Sequence, residues 1–311
     1  MANTRFFWPR RCLATLAVLW ALLGGTSAAA AQDLWGSRSL AMGGTLRAAP
    51  SGDAAVLMNP AGMSLTRAFQ INGTYQWRAS DSASMMNVSV VDSITTRVAA
   101  GLYYSFVRGT PSRTLALAAG GTFDLNETST THELGLALSY PIGKIIHIGV
   151  TNKYGRVEIE QPEGTPDPFK DGGGQGYTMD VGAVFTLIPN LNIAITGQNL
   201  VAIHPQHYPR LLGLGVSYAL GTTFLAEFDS VLNFSAPDSP KASYHGGGEL
   251  FLGSSYALRA GVMHDTYREA TYVTGGLGLV SSKVGLDAAL RQMVRGGAET
   301  TVALALRVFM N

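Results

Sequence analysis

The stretch SRSLAMGGTLRAAPSGDAAVLMNPAGM, residues 37–63, decides how the rest of the chain is read. Gly43, Gly44 and Gly52 tolerate backbone angles that other residues resist. Pro60 fixes its own φ and keeps Asn59 out of the helical region. The Asn59 side chain is able to bond its own backbone two residues on, so Asn59-Pro60-Ala61-Gly62 reads as a self-locked tight turn. Ahead of it, Ala54 to Met58 is small and apolar, a composition suited to a confined space.

Working outward, the N-terminal side reads as an export leader over residues 1–31. Arg5, Arg10 and Arg11 supply a basic start, Cys12 to Leu23 an apolar core, and Ala29-Ala30-Ala31 a small-residue cleavage site. The one cysteine leaves with that leader, so the mature chain holds no disulfide, thiolate nucleophile or cysteine metal site. Removing three arginines leaves 19 basic against 21 acidic residues, a net charge of −2, which excludes the electrostatic footprint of a nucleic-acid binder. Charged residues make up 14% of the chain, against about 25% in soluble proteins. No apolar run after residue 31 approaches the ~20 residues of a membrane helix.

On the C-terminal side, residues 32–68 show no sustained alternation, but from 69 onward segments of about ten residues alternate as barrel strands do. Ile71, Tyr75 and Trp77 oppose Gln70, Asn72, Thr74 and Gln76; Leu134, Leu136 and Leu138 oppose Glu133, Gly135 and Ala137. Fourteen such segments are expected, the first at 69–79, the third at 96–108 and the last at 299–309. The stretch 111–126 is assigned to a long outer hairpin rather than to the wall. Connections alternate between tight turns and longer loops, as in outer-membrane barrels. Aromatics gather in two belts: Tyr140, Tyr218, Phe224 and Tyr256 near the tight turns, and Tyr208, Phe234, Tyr244 and Tyr272 near the long loops. The expected fold is therefore an all-β, 14-stranded antiparallel transmembrane barrel over 69–311, with residues 32–68 as a luminal plug. Fourteen strands leave a lumen that needs filling, since eight already close on a side-chain core.

A charge on the lipid face costs up to ~2–4 kcal/mol, so strand charges are expected to point inward. These are Arg97, Glu133, Lys153, Asp180, Glu227, Asp229, Glu249, Arg259, Asp287, Arg291 and Arg307. Glu227, Asp229, Glu249, Arg259, Asp287 and Arg291 fall on consecutive strands and are expected to form one ion-pair ladder across the lumen. Enzyme signatures are missing: there is no G-x-S-x-G elbow, P-loop or H-E-x-x-H. His204 and His207, in a Pro-rich loop, have the spacing to hold a metal, but two ligands alone are weak evidence for one, and they read as loop histidines. No cofactor, metal or catalytic residue is expected.

The segments GSRSLAMGG (36–44) and GDAAVLMNPAGM (52–63) resemble the N-terminal signature of the FadL/PorV-type outer-membrane proteins, the group that includes OMPP1, FadL and TodX. In that family a Met-Gly-Gly segment, an Asp-Ala pair and an Asn-Pro-Ala-Gly turn precede the first barrel strand. The resemblance implies a plug or gate built on Gly43, Gly44, Asp53, Asn59, Pro60, Ala61 and Gly62, set near the start of the first strand. It implies an outer-membrane location, lipid contact, and passage of small hydrophobic molecules. The alternative it carries is a non-transporting scaffold for secretion, surface attachment or conjugation, as in PorV- or TraF-like members. The chain's short length suits the PorV-type branch.

Overall fold

The computed structural model describes residues 34–116, 122–165, 171–201, 203–204, 207–236 and 238–310. The leader expected over 1–31 lies outside the described residues. Among the described residues sixteen strands form: β1 (Phe69–Arg78), β2 (Ala83–Asp92), β3 (Ala99–Gly109), β4 (Ser112–Ala116), β5 (Thr122–Asn126), β6 (Thr128–Ile142), β7 (Ile146–Glu160), β8 (Gly174–Ile188), β9 (Leu191–Gln198), β10 (Leu211–Leu220), β11 (Phe224–Asn233), β12 (Lys241–Leu252), β13 (Tyr256–Asp265), β14 (Ala270–Val280), β15 (Val284–Arg295) and β16 (Thr300–Met310).

All except β4 and β5 join one closed antiparallel barrel of fourteen strands, in which β1 pairs with both β2 and β16. Closure runs from Phe69↔Met310 to Arg78↔Thr301, so no backbone edge faces lipid. The expected outer hairpin at 111–126 is present as the separate pair β4–β5, between β3 and β6. Tight turns at the opposite end place Gly143, Gly221 and Gly253 at φ of 71°, 58° and 64°, a region that favours glycine.

Side-chain parity separates two environments. Leu134, Leu136 and Leu138 are 51%, 51% and 42% exposed on the outer face, whereas Ala137 between them is fully buried. On β1, Tyr75 and Trp77 point out, and Gln70, Asn72, Thr74, Gln76 and Arg78 point in. Three expectations need correction. Arg97 lies just ahead of β3, is exposed, and stacks over the outward Tyr140 ring at 4.9 Å instead of entering the lumen. It escapes the inward rule because it sits beyond the wall. Tyr208 and Tyr272, expected in the outer belt, are each 1% exposed and turned inward. For Tyr272 the cause is parity, because its neighbour Val273 takes the outward position.

Residues 34–64 pack against the inner face of the barrel, and 65–68 lead out to β1. They carry two short helices, α1 (Ser37–Ala41) and α2 (Asp53–Leu57), then a 3₁₀ turn over Pro60–Ser64. Leu40 and Ala41 pack with Ala289 and Ala303 on one side of the wall, and Val56 and Met63 with Val91, Tyr103 and Ala137 on the other. Small inward residues let the wall meet the segment without a layer of large side chains between them.

Candidate functional site in the barrel lumen

The first half of the luminal segment is tied to the wall by charge. Gly43 and Gly44 take φ of 74° and 82°, and a Cβ on Gly43 would stand 2.6 Å from the Val262 carbonyl oxygen. Glycine is therefore required where the backbone lies flat on β12 and β13. Beyond it, the Glu227 carboxylate accepts three backbone N–H groups, from Leu46 at 3.1 Å, Ala48 at 2.6 Å and Ala49 at 3.2 Å. Asp229 accepts from the Arg47 backbone N–H and from its Nη1, both at 3.3 Å. Arg38 on α1 grips Glu249 through Nη2 at 2.7 Å and Nε at 2.9 Å. Two carboxylates thus hold backbone and side chain of residues 46–49, and a third holds α1.

The expected six-residue ladder is only partly assembled. Glu249, Arg259 and Asp287 are linked, with Arg259 Nε 2.6 Å from Glu249 and Nη1 2.6 Å from Asp287. The chain then continues to Arg307, 2.8 Å from Asp287. Glu227 and Asp229 turn instead to the luminal segment. Arg291 pairs with Glu299 at 2.8 Å and lies over the rings of Trp35 and Tyr272, at 5.1 and 4.9 Å. The segment itself breaks the ladder: its own N–H groups and arginines offer nearer partners than the next strand does.

The second half is held by shape and by hydrogen bonds, without an ion pair among the described residues. Asp53 accepts from Thr74 Oγ1 at 3.0 Å and from the Ala54 N–H at 2.9 Å. Asn59 Oδ1 accepts from the Ala61 N–H at 3.1 Å, and its Nδ2 donates to the Arg47 carbonyl at 2.7 Å. One side chain therefore locks the turn and joins it to the first half. Pro60 and Ala61 lie against Gly149 on β7, and Asn59 against Gly182 on β8; a Cβ at either glycine would overlap them. Gly62 meets Pro50 just as tightly. Ser139 Oγ on β6 lies 3.0 Å from the Ala61 carbonyl oxygen and 2.8 Å from Ser64 Oγ, and Ser64 Oγ is 2.9 Å from His147 Nδ1. The turn is accordingly seated on β6–β8 and not at the start of β1, as expected from its position in the chain. A four-residue link, 65–68, suffices to carry the backbone from there to β1.

No family model matches the chain, and no curated protein matches it. Solved structures do. The toluene transporter TbuX of Ralstonia pickettii superposes with a TM-score of 0.72 at 15% identity, over 90% of this chain and 99% of that one. The P. putida toluene transporter TodX gives 0.68 at 13% identity, over 90% and 99%. A Pseudomonas aeruginosa FadL homologue gives 0.64 at 11% identity, over 88% and 97%. The fold is of FadL type.

Within this FadL-type lumen the segment divides the free space. Towards the long loops lie two cavities of ≈ 70 Å³ and ≈ 60 Å³, both bordered by Trp35, Arg47 and Leu211. Towards the tight turns a larger space of ≈ 370 Å³ is bordered by Arg38, Ser51, Leu65 and Asn192. The first outer cavity is apolar on the segment side, with Leu34, Trp35, Leu57 and Met58, and polar on the wall side, with Lys153 and Glu133. Lys153 is held by Asp180 at 2.8 Å and by Asn199 Oδ1 at 2.5 Å. Among the loop residues above it, burial, and then the neighbouring His204, push His207 down to about 4. Sequence reasoning did not single out Arg38, Arg47, Trp35, Gly149 or Gly182. The two arginines carried a usable signal, since a cation in a small, apolar luminal stretch requires an acidic partner on the wall.

Proposed function

We propose that the protein is an outer-membrane barrel through which small hydrophobic molecules pass, with residues 34–68 as the plug that closes it. The observation that carries this reading is the filled lumen. An apolar cavity of about 150 Å³ accommodates benzene, whereas the outer cavities here measure ≈ 70 and ≈ 60 Å³. A monoaromatic molecule therefore has no path unless the segment shifts. The closed barrel with an apolar outer face supports an outer-membrane location. Two of the neighbours, TbuX and TodX, are toluene transporters, which supports small hydrophobic cargo over catalysis. The scaffold alternative for secretion or conjugation has no counterpart among them. The test is uptake of radiolabelled toluene by cells that express the protein and lack their own FadL-type channels. Uptake several-fold above a vector control is expected; uptake equal to the control removes the transport reading.

A further inference from the structure

Above the lumen, the outer loops hold a side-chain cluster that the plug does not use. The N–H groups of His207 and Tyr208 both bond to the His204 carbonyl, at 3.0 and 2.7 Å. These two bonds fold the chain back on His204 and bring the two imidazole rings together. The two Nδ1 atoms stand 3.2 Å apart, with the rings crossing at 74°. The far nitrogens are also engaged: His204 Nε2 lies 3.1 and 3.3 Å from the two oxygens of Asp171. His207 Nε2 lies 2.9 Å from Ser129 Oγ at the start of β6.

Tautomers follow from these partners. An ionised Asp171 only accepts, so neutral His204 carries its proton on Nε2 and turns a bare Nδ1 lone pair towards His207. Two nitrogens facing each other at this distance need a proton or a cation between them. With Zn–N bonds of about 2.0–2.1 Å, two tetrahedral imidazole ligands have their nitrogens about 3.3–3.4 Å apart, close to the separation found. A metal-binding histidine that donates its other N–H to a carboxylate is the usual outer-shell arrangement. Asp171 supplies that carboxylate, and the Ser129 hydroxyl, able to donate or accept, permits either tautomer of His207.

We propose that His204 Nδ1 and His207 Nδ1 form a cradle for one divalent transition-metal ion, with Asp171 and Ser129 as outer-shell partners. Among the described residues no group of three His, Cys, Asp or Glu converges on one point, so water completes the coordination. Imidazole donors select Zn²⁺, Ni²⁺ or Cu²⁺ over Ca²⁺ and Mg²⁺. A bound ion would pin the 204–207 turn to the loop before β8 and to β6, above the outer cavity that His207 borders.

The test uses the full mature chain, refolded in detergent without a polyhistidine tag and titrated with Zn²⁺ and with Ca²⁺ by calorimetry. Co²⁺ serves as a spectroscopic probe. One Zn²⁺ per chain, no Ca²⁺, and a Co²⁺ d–d band are expected. Asp171→Asn should weaken Zn²⁺ binding about 10- to 100-fold, and His204→Ala or His207→Ala should weaken it further. Heat-modifiable gel mobility establishes that each variant is folded. Zinc affinity that is the same in the parent and in the folded His204→Ala/His207→Ala double variant would overturn the proposal.

Discussion

Residues 34–49 and residues 53–64 occupy the same lumen but are held there by opposite means. The first half depends on acidic wall side chains: Glu227, Asp229 and Glu249 engage three N–H groups, Arg47 and Arg38. The second half depends on Gly149 and Gly182, which let Asn59, Pro60 and Ala61 touch the wall backbone. Shape fit is all or none at Gly149, where the Pro60 and Ala61 backbone itself meets the wall and no side chain is able to give way. Charge contacts are separable, since each carboxylate is able to let go of its own partner. The first half also borders both outer cavities, through Trp35 and Arg47. On this comparison we propose that residues 34–49 move and residues 53–64 anchor them.

The largest expected effect comes from filling the anchor seat. Gly149→Val places side-chain atoms where the backbone of Pro60 and Ala61 lies. The barrel strands keep their pairing, so heat-modifiable mobility persists, but the whole segment is expelled and the pore conducts continuously. A folded Gly149→Val variant that stays closed would break the distinction between anchor and gate.

Next comes Glu227→Ala. It orphans the N–H groups of Leu46, Ala48 and Ala49, at about 1–3 kcal/mol for each one left buried without a partner. Frequent but reversible openings are expected in single-channel records. Glu227→Gln keeps one oxygen, so its opening frequency should fall between those of the parent and the alanine variant. Equal behaviour of all three chains would show that the carboxylate does not hold the first half.

Asn59→Ala should have the smallest effect. It removes the bonds to Ala61 and to the Arg47 carbonyl, each worth about 0.5–1.5 kcal/mol net, while Pro60 and Ala61 keep their seat on Gly149. Rare, brief openings are expected. Openings as frequent as in Glu227→Ala would mean that the link between the halves, and not the charges, limits movement.

Much of the wall was legible because a barrel strand obeys a two-residue period between lipid and lumen. Leu134, Leu136 and Leu138 declared the outer face, and Asp287 and Arg291 the inner one. The same parity places Tyr272 inward, against the weaker preference of aromatics for membrane interfaces. The local form of the Asn59 turn was also legible, since its bond to Ala61 spans two residues. Its seat was not. Which strands the turn meets depends on Gly149 and Gly182, about 90 and 120 positions further on, and no local pattern pairs them with Asn59. The charge ladder was misread for a related reason. Strand adjacency gives the neighbours of Glu227 and Asp229 along the wall, but not the backbone N–H groups that enter from the lumen.

The central claim is that residues 34–68 close the pore, and single-channel recording in planar bilayers tests it most directly. A chain lacking residues 36–62 loses the contacts of both halves, while β1 to β16 retain their register. The account predicts a folded, heat-modifiable barrel with a large, steady conductance that the parent does not show. A folded deletion variant that conducts no better than the parent would contradict it.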